Sequence, residues 1–109
     1  MALTARVYIQ ACIRAATVRG CPAQVVRRGF DGAGAVLLKL NRLDGTAQLL
    51  RPAWTDGDRR RWLAHPPGPE ADADEEIARE AARDPDIWVL EIEDREGRHP
   101  LDEPVELLG

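Results

Sequence analysis

The sequence predicts an α+β domain in which two main helices accompany a mixed, mostly antiparallel sheet of five or six strands. Three observations support this prediction. Residues 87–93 alternate between apolar and polar side chains, residues 35–40 form a nearly continuous apolar run beside a hairpin turn, and two other segments repeat apolar residues at helical spacing. The chain of 109 residues has the length of one domain, which we expect to span residues 1–109.

The chain begins with a predicted short strand near residues 3–7 and a predicted helix over residues 8–19. Apolar side chains recur at intervals of three and four residues, at Ile9, Cys12, Ile13 and Ala16. Gly20 is a typical helix stop, and Pro22 cannot continue a helix because it lacks a backbone N–H. A strand is then predicted over residues 23–28.

A glycine-rich loop, residues 29–34, separates that strand from the apolar run. Its glycines follow the order G-x-x-G-x-G, whereas dinucleotide-binding loops follow G-x-G-x-x-G and are followed by a helix. We therefore predict a connection between two strands rather than a phosphate-binding loop. The run at residues 35–40 is apolar on both faces, which indicates a central position in the sheet.

A meander of three strands is predicted in the middle of the chain. Asp44-Gly45 is a typical hairpin turn, and the returning strand at residues 47–51 is expected to end at Pro52. A second turn at residues 55–58 leads to a third strand at residues 60–64. The short spacing of these strands favours antiparallel pairing.

A proline-rich stretch, residues 65–69, is predicted to be an internal linker. The second helix is predicted over residues 72–83, with Asp72 and Glu75 as a capping box. Ile77 is the one large apolar residue of this helix, so we expect it to pack by a thin stripe with most of its surface in water.

The strand at residues 87–93 carries the clearest alternation, and we place it beside the 35–40 run. Its apolar face consists of Trp88, Leu90 and Ile92. Pro85 should end the preceding helix, and residues 94–97 should form a turn in which Gly97 takes a positive φ. The acidic residues 100–109 are predicted to be a C-terminal tail, either frayed or docked on the domain or on another subunit.

Three carboxylates at the end of this strand are candidate metal ligands. Glu91 and Glu93 lie two residues apart on one strand face, about 6–7 Å between Cα atoms, and Asp94 follows them. Carboxylates at this spacing can hold a hard divalent cation or share acid and base roles. A solvated strand face, paired with basic residues of a neighbouring strand, explains the same pattern without chemistry.

Arginines beside tryptophan form the candidate site for a partner or an anion, which we assign to Arg27, Arg28, Arg60 and Trp62. Such a pattern resembles a stacking and phosphate-binding patch. Strand alternation, however, puts Arg61 on the face opposite Arg60, and a charged strand with a core tryptophan explains the pattern equally. A protein partner or self-association is therefore favoured over nucleic acid.

The charges are unevenly distributed along the chain. Residues 1–64 hold 11 basic and 4 acidic side chains, whereas residues 65–109 hold 4 basic and 15 acidic ones. Such asymmetry indicates either a basic surface for an acidic partner or an acidic second half that folds back on the first. We favour the second interpretation for a domain of this size.

The sequence lacks the residues or the residue spacing that several classes of function require. The chain has no serine, and its two histidines and two cysteines show no zinc-binding spacing. Cys12 and Cys21 are expected to be small core residues of a reducing compartment. No apolar run is long enough to span a membrane, and the N-terminus has no secretion signal, so we expect a cytoplasmic protein. We also expect that it holds no cofactor.

Three stretches together resemble a known family. They are Val26–Gly29, Gly34–Asn41 and, most specifically, Asp84–Arg95, which contains Asp-Pro-Asp-Ile-Trp and ends in Glu-Asp-Arg. In these stretches and in length the chain is similar to the alphaproteobacterial family catalogued as domain of unknown function 1491. The resemblance implies a stand-alone domain of mixed α and β structure, with no activity, cofactor or catalytic residue to carry over.

Two functional hypotheses of different class follow. The preferred one is a small cytoplasmic bacterial domain that serves as a non-enzymatic binding or assembly module, for which a homodimer is one expected form. The alternative is a small metal-dependent enzyme acting on a phosphate ester or a nucleic acid, with metal held at Glu91, Glu93 and Asp94. No catalytic residue is predicted for either hypothesis.

Overall fold

The computed structural model describes residues 4–32, 34–54, 60–101 and 103–108, which form two helices and seven strands. Helix α1 spans Ala5–Val18 and helix α2 spans Glu70–Arg83. The strands are β1 (Ala23–Arg27), β2 (Val36–Asn41), β3 (Thr46–Trp54), β4 (Arg60–Ala64), β5 (Gly68–Pro69), β6 (Trp88–Glu93) and β7 (Val105–Leu107). The predicted α+β class is confirmed.

The strands form one mixed sheet in the order β1-β6-β2-β3-β4-β7, with the short β5 paired to β3. The predicted meander β2-β3-β4 is antiparallel. Strand β6 enters between β1 and β2, antiparallel to the first and parallel to the second, so its predicted place beside the apolar run is correct. Strand β7 lies parallel to β4 at the far edge.

Helix α1 covers one face of the sheet and forms the larger part of the core. Its buried stripe is Ala5, Tyr8, Ile9, Cys12 and Ala16, at the three- and four-residue intervals of an amphipathic helix. Against it pack Val36, Leu38, Leu40, Leu50, Trp62, Trp88, Leu90 and Ile92. The predicted apolar face of β6 therefore lies in this core.

Helix α2 covers the opposite face by a much smaller apolar contact. Ile77 and Ala81 pack on Leu37, Ile87 and Val89. Ala73 is the one buried apolar residue among those described in this helix, which confirms the predicted thin stripe. Because both faces of the sheet are covered, β2 and β6 are central strands, and the face of β6 that carries Val89 is buried beneath α2.

The predicted strand at residues 3–7 is wrong where the chain is described, because helix α1 already begins at Ala5. Thr4 caps this helix, since its side-chain hydroxyl accepts a hydrogen bond from the Val7 amide at 3.3 Å. The first two amides of the helix donate to the glycine-rich loop: the Ala5 amide to the Gly32 carbonyl and the Arg6 amide to the Asp31 carbonyl. Residues 1–3 lie outside the described residues.

The predicted capping box of the second helix is also wrong. Helix α2 begins at Glu70, two residues before Asp72, and its N-cap Pro69 makes no side-chain cap. The chain enters the helix directly from β5, which lies in the predicted linker, and the Glu70 amide donates to the Gly45 carbonyl at 2.9 Å. The predicted stop is correct, since α2 ends at Arg83.

Strand β3 does not end at Pro52 as predicted but continues to Trp54. Pro52 lies opposite Trp62 of β4, beyond Leu50, the last β3 residue that pairs with β2. A proline fits there because a strand with one neighbour needs fewer backbone donors. The predicted turn at residues 55–58 lies outside the described residues.

The glycine-rich loop connects β1 to β2 across the start of β6. The Phe30 amide donates to the Asp86 carbonyl at 3.0 Å, and the Trp88 indole donates to the Phe30 carbonyl at 2.7 Å. Gly29 and Gly34 pack so closely on this segment that a Cβ on either would fall within 2.4 Å of the Asp86 carbonyl oxygen. The glycines thus serve backbone packing.

The C-terminal part of the chain crosses from β6, near one edge of the sheet, to β7 at the other. The crossing begins with the predicted turn, in which Gly97 has φ 63°. Pro100 is buried and Leu101 packs on the α1-side core, so the segment covers core that α1 leaves open. We call residues 99–101 and 103–108 the arm.

Neither helix among the described residues is long and apolar enough to cross a membrane.

Candidate functional site

Two of the three candidate metal ligands, Glu91 and Asp94, have separate partners, and Glu93 ends β6 beside Asn41 of β2. Glu91 faces α2 and accepts a hydrogen bond from the Asn41 side chain at 2.9 Å. Asp94 is buried and closes its own turn, accepting from the amides of Glu96 and Arg98. Among the described residues no three His, Cys, Asp or Glu side chains are grouped as metal ligands would be. The geometry therefore adds nothing to the metal hypothesis.

The Asp94 carboxylate is fixed mainly by arginine. The Arg98 guanidinium donates to it at 2.8 Å, and this hydrogen bond lowers the pKa of Asp94 against the opposing effect of burial. The backbone amides of Glu96 and Arg98 lower the same pKa further. Asp94 is therefore a structural anion that holds the turn after β6.

A buried lysine is the centre of the strongest charge cluster. Lys39 of β2 is 4% exposed, and its Nζ lies 2.7 Å from Glu70 Oε2 and 2.7 Å from Asp74 Oδ1. Glu91 Oε1 of β6 lies 3.6 Å away. Burial by itself lowers the pKa of Lys39, but hydrogen bonds to Asp74 and Glu70 and the charge of Glu91 outweigh it and raise the pKa. The first turn of α2 is thus attached to the sheet by one ammonium group.

A second cation of the sheet continues this attachment along α2. Arg51 of β3 pairs with Glu76 and with Glu80, whose Oε1 lies 2.6 Å from Arg51 Nη1. Glu76 also pairs with Arg79 on the helix surface. The acidic second half of the chain therefore folds back on the basic first half here, as the favoured interpretation of the charge asymmetry predicted.

The four residues assigned to a partner or anion site are not brought together. Arg27 and Arg28 lie at the end of β1, whereas Arg60 and Trp62 belong to β4, and three strands separate β4 from β1. Trp62 is fully buried in the α1-side core. Its ring is therefore not available to stack on a base in this structure. At the end of β1, Arg28 is exposed and Arg27 is half-buried.

Trp62 belongs instead to a polar cluster that the sequence did not reveal. The Glu103 carboxylate of the arm accepts hydrogen bonds at Oε1 from the Trp62 indole at 2.9 Å and from the Tyr8 hydroxyl at 2.5 Å. The Trp62 ring packs between those of Tyr8 and His99, with centroids 5.8 and 5.4 Å apart. We call this cluster the Glu103 anchor. It joins α1, β4 and the arm, which are far apart in sequence.

The tyrosine of this anchor is held neutral. Burial is the largest cause that raises the pKa of Tyr8, and the nearby Cys12 and Glu103 raise it further. A group that binds its proton more tightly in the folded state stabilises the fold below its unfolded pKa of about 10. That contribution is lost as the pH rises above this value.

Because Tyr8 is the one tyrosine of the chain, its titration can be observed directly. In an alkaline titration we expect tyrosinate absorbance to appear together with the loss of the near-ultraviolet circular dichroism of the folded state. The denatured protein should titrate with a pKa of about 10. A folded protein that forms tyrosinate at this same pKa would contradict the buried hydrogen bond to Glu103.

The open edge of the sheet is at β1. Among the described residues β6 is the one strand that pairs with β1. Val25 and Val26 are exposed there, and the exposed Phe30 follows in the loop. Arg28 lies over the Trp88 ring and, with Arg6 of α1, flanks Asp31. We call Arg6, Val25, Val26, Arg28 and Phe30 the β1 patch.

The fold and these clusters define a class of small α+β domain. One mixed sheet is covered by a helix on each face, ion pairs attach the second helix, and one sheet edge is open while an arm fills the other. The chain belongs to the DUF1491 family, since the model described as "Protein of unknown function (DUF1491)" matches residues 3–102. This confirms the family resemblance of the sequence.

Solved structures agree with this assignment. A crystal structure of a DUF1491 family protein from Caulobacter crescentus is 45% identical, with a TM-score of 0.85, and the match covers 96% of this chain and 100% of the other. An NMR structure of a DUF1491 family protein from Caulobacter crescentus gives 45% identity and a TM-score of 0.82 over 97% and 98% of the two chains.

A more distant relative has the same fold. The solution structure of a protein from A. tumefaciens is 25% identical, with a TM-score of 0.77 over 94% of this chain and 95% of the other. No curated protein matches the chain. The comparisons therefore establish the family and the fold, and the function has to be argued from the surface.

Proposed function

We propose that the protein is a non-enzymatic binding module that takes an acidic, extended segment of a partner protein as an additional strand beside β1. The observation that supports this proposal most directly is the open β1 edge, where Val25 and Val26 are both exposed. An exposed, apolar edge strand offers unpaired backbone donors and acceptors to another chain.

The direction of these backbone groups follows from the pairing with β6. The Glu93 amide donates to the Pro22 carbonyl at 2.9 Å, and Gln24 lies opposite Glu91. Hydrogen-bonded positions alternate in an antiparallel pair, so Gln24 bonds to β6 while the N–H of Val25 points away from it. A partner strand would use the outward N–H and C=O groups of Val25.

Charge complementarity favours an acidic partner. Residues 4–28 contain five arginines and no aspartate or glutamate. In the β1 patch Arg6 and Arg28 share a single carboxylate, that of Asp31, and both are exposed. The unbalanced positive charge would attract an acidic segment and disfavour a basic one.

The other edge of the sheet supports the same chemistry. There the acidic strand β7 lies beside β4, and Glu106 pairs with Arg61 at 3.4 Å. An acidic strand beside an arginine-bearing strand is thus an arrangement that this fold already contains. The β1 edge has the arginines and lacks the acidic strand among the described residues.

Binding of a synthetic peptide tests this proposal. We expect a capped peptide in which valine and glutamate alternate to shift and protect the amides of β1 in NMR spectra, and a peptide with lysine in place of glutamate to leave them unchanged. Val25→Pro removes an outward N–H without removing a bond to β6, so it should weaken binding about fivefold or more.

The matched control is Val25→Thr, which keeps both the N–H and the β-branched side chain and should bind like the wild type. Arg28→Glu should weaken binding of the acidic peptide and reduce its dependence on salt. Equal binding of the two peptides, or amide shifts confined to other parts of the molecule, would count against the proposal.

A further inference from the structure

Strand β7 of the arm is attached at both of its ends by backbone hydrogen bonds to β4. The Trp62 amide donates to the Pro104 carbonyl at 2.9 Å, and the Leu108 amide donates to the Ala64 carbonyl at 2.7 Å. Between them the parallel register pairs Leu63 with Glu106. The Glu103 anchor adds side-chain hydrogen bonds at the entry to this strand. The arm therefore occupies a defined strand position in which one carboxylate is recognised.

The distal half of the arm is loosely packed. All three residues of β7 are exposed, including the apolar Val105 and Leu107. An open cleft of about 370 Å³ borders the arm, and its lining includes His99, Val105 and Leu107 of the arm together with Leu40 and Leu50 of the sheet. Few apolar contacts therefore oppose release of β7, whereas the polar anchor fixes where the arm is placed.

The chain between β6 and the arm can serve as a hinge. Arg95, Glu96 and Arg98 are exposed, and Gly97 already has φ 63°, a conformation open to glycine at no steric cost. Asp94 fixes the chain at the start of this stretch and Pro100 is buried at its end. A change of direction at residues 95–98 would redirect the whole arm and leave β6 in place, at the cost of the hydrogen bonds from the Glu96 and Arg98 amides to Asp94.

We infer that the arm is exchanged between two copies of this chain, so that Glu103 of one copy accepts the hydrogen bonds of Tyr8 and Trp62 in the other. Exchange re-forms every contact of the arm in the second copy, so its free energy depends mainly on the hinge and on association. Reciprocal exchange closes a two-fold dimer in which each copy completes the anchor of the other. The inference does not depend on the proposed β1 partner.

Cross-strand cysteines in separate full-length chains test the exchange. Facing residues of neighbouring strands lie about 4.8 Å apart, within the range for a disulfide, so Leu63→Cys and Glu106→Cys should react wherever the arm lies beside β4. We expect a mixture of the two single variants at millimolar concentration to give a covalent heterodimer. The control mixture of Leu63→Cys with Glu75→Cys, exposed on α2, should give at least tenfold less.

Two further chains make the outcome decisive. The double variant Leu63→Cys/Glu106→Cys, at low concentration, should close within one chain and report that the cysteines react. Adding Glu103→Gln to the Glu106→Cys chain weakens the anchor of that arm equally in the closed and in the exchanged arrangement, so the heterodimer yield should stay nearly unchanged. A heterodimer yield no higher than in the control mixture, while the double variant closes fully, would overturn the inference. A yield that rises several-fold with Glu103→Gln would also overturn it, because the anchor would then be present only in the closed arrangement.

Discussion

Substitution of Gly29 by alanine is expected to prevent stable folding. The new Cβ would lie 2.1 Å from the Asp86 carbonyl oxygen and 2.6 Å from the Ile87 carbonyl carbon, both of them backbone atoms of the segment that starts β6. Relief requires the loop to move away from β6, which would break the hydrogen bond between the Phe30 amide and Asp86. We expect a loss of at least about 3 kcal/mol in the free energy of unfolding.

Chemical denaturation followed by circular dichroism measures this loss, and Gly68→Ala is the matched control. Gly68 also lies in extended structure, and a Cβ there would meet nothing within 4 Å. That variant should stay within about 0.5 kcal/mol of the wild type. If Gly29→Ala and Gly68→Ala have similar midpoints and slopes, the close packing of the glycine-rich loop on β6 is not a determinant of the fold.

Replacement of Lys39 by methionine is expected to produce the second largest effect. The substitution keeps the length of the buried chain but leaves Glu70, Asp74 and Glu91 facing one another without a cation. Removing one partner of a buried ion pair costs about 3–5 kcal/mol. We expect about 2–4 kcal/mol here, because Asp74 and Glu70 retain contact with water and are partly screened.

The pH dependence of this effect has a definite sign. The pKa of Lys39 is raised in the folded state, so its contribution is fully present below the unfolded pKa of about 10.4 and is lost as the pH rises through the higher folded value. The difference in stability between wild type and Lys39→Met should therefore be constant from neutral pH to about pH 10 and shrink above it.

A surface ion pair provides the comparison for the lysine. Arg83 pairs with Glu80 on α2 but is largely exposed, so Arg83→Met should cost no more than about 0.5 kcal/mol. Thermal melts of the two variants at neutral pH separate the cases. Similar melting temperatures for Lys39→Met and Arg83→Met would show that burial of Lys39 contributes little to attaching α2.

The sequence predicted correctly those helices and strands that are determined by side-chain patterns within their own segment. The alternation of Trp88, Leu90 and Ile92 identified β6 and its core face, and the periodicity around Cys12 identified α1. Element ends were less predictable where their cause is distant in sequence. Helix α1 starts early because the loop at Asp31 and Gly32 accepts its first amides, and α2 starts early because Gly45 and Lys39 hold Glu70.

The polar clusters were predictable only in part. Lys39 is the one lysine of the chain and interrupts an apolar strand, a pattern that indicates a buried charge, but its three partners come from two other elements. Nothing local links Tyr8 to Glu103, which are 95 residues apart. Of the residues assigned to a partner or anion site, Arg28 is exposed, whereas Trp62 lies in the core, as the alternative interpretation of that pattern had it.

The position of β6 between β1 and β2 determines the order in which the chain can fold during synthesis. The hairpins of β2, β3 and β4 can pair as soon as they leave the ribosome, since their contacts are local. Strand β1 is made before all of them, yet its partner β6 lies about sixty residues downstream. Contacts of such sequence separation form slowly, so the nascent chain exposes both edges of β1 until β6 has been made. Chaperones that bind extended apolar segments would bind β1 at this stage, at Val25 and Val26, which remain exposed in the folded domain.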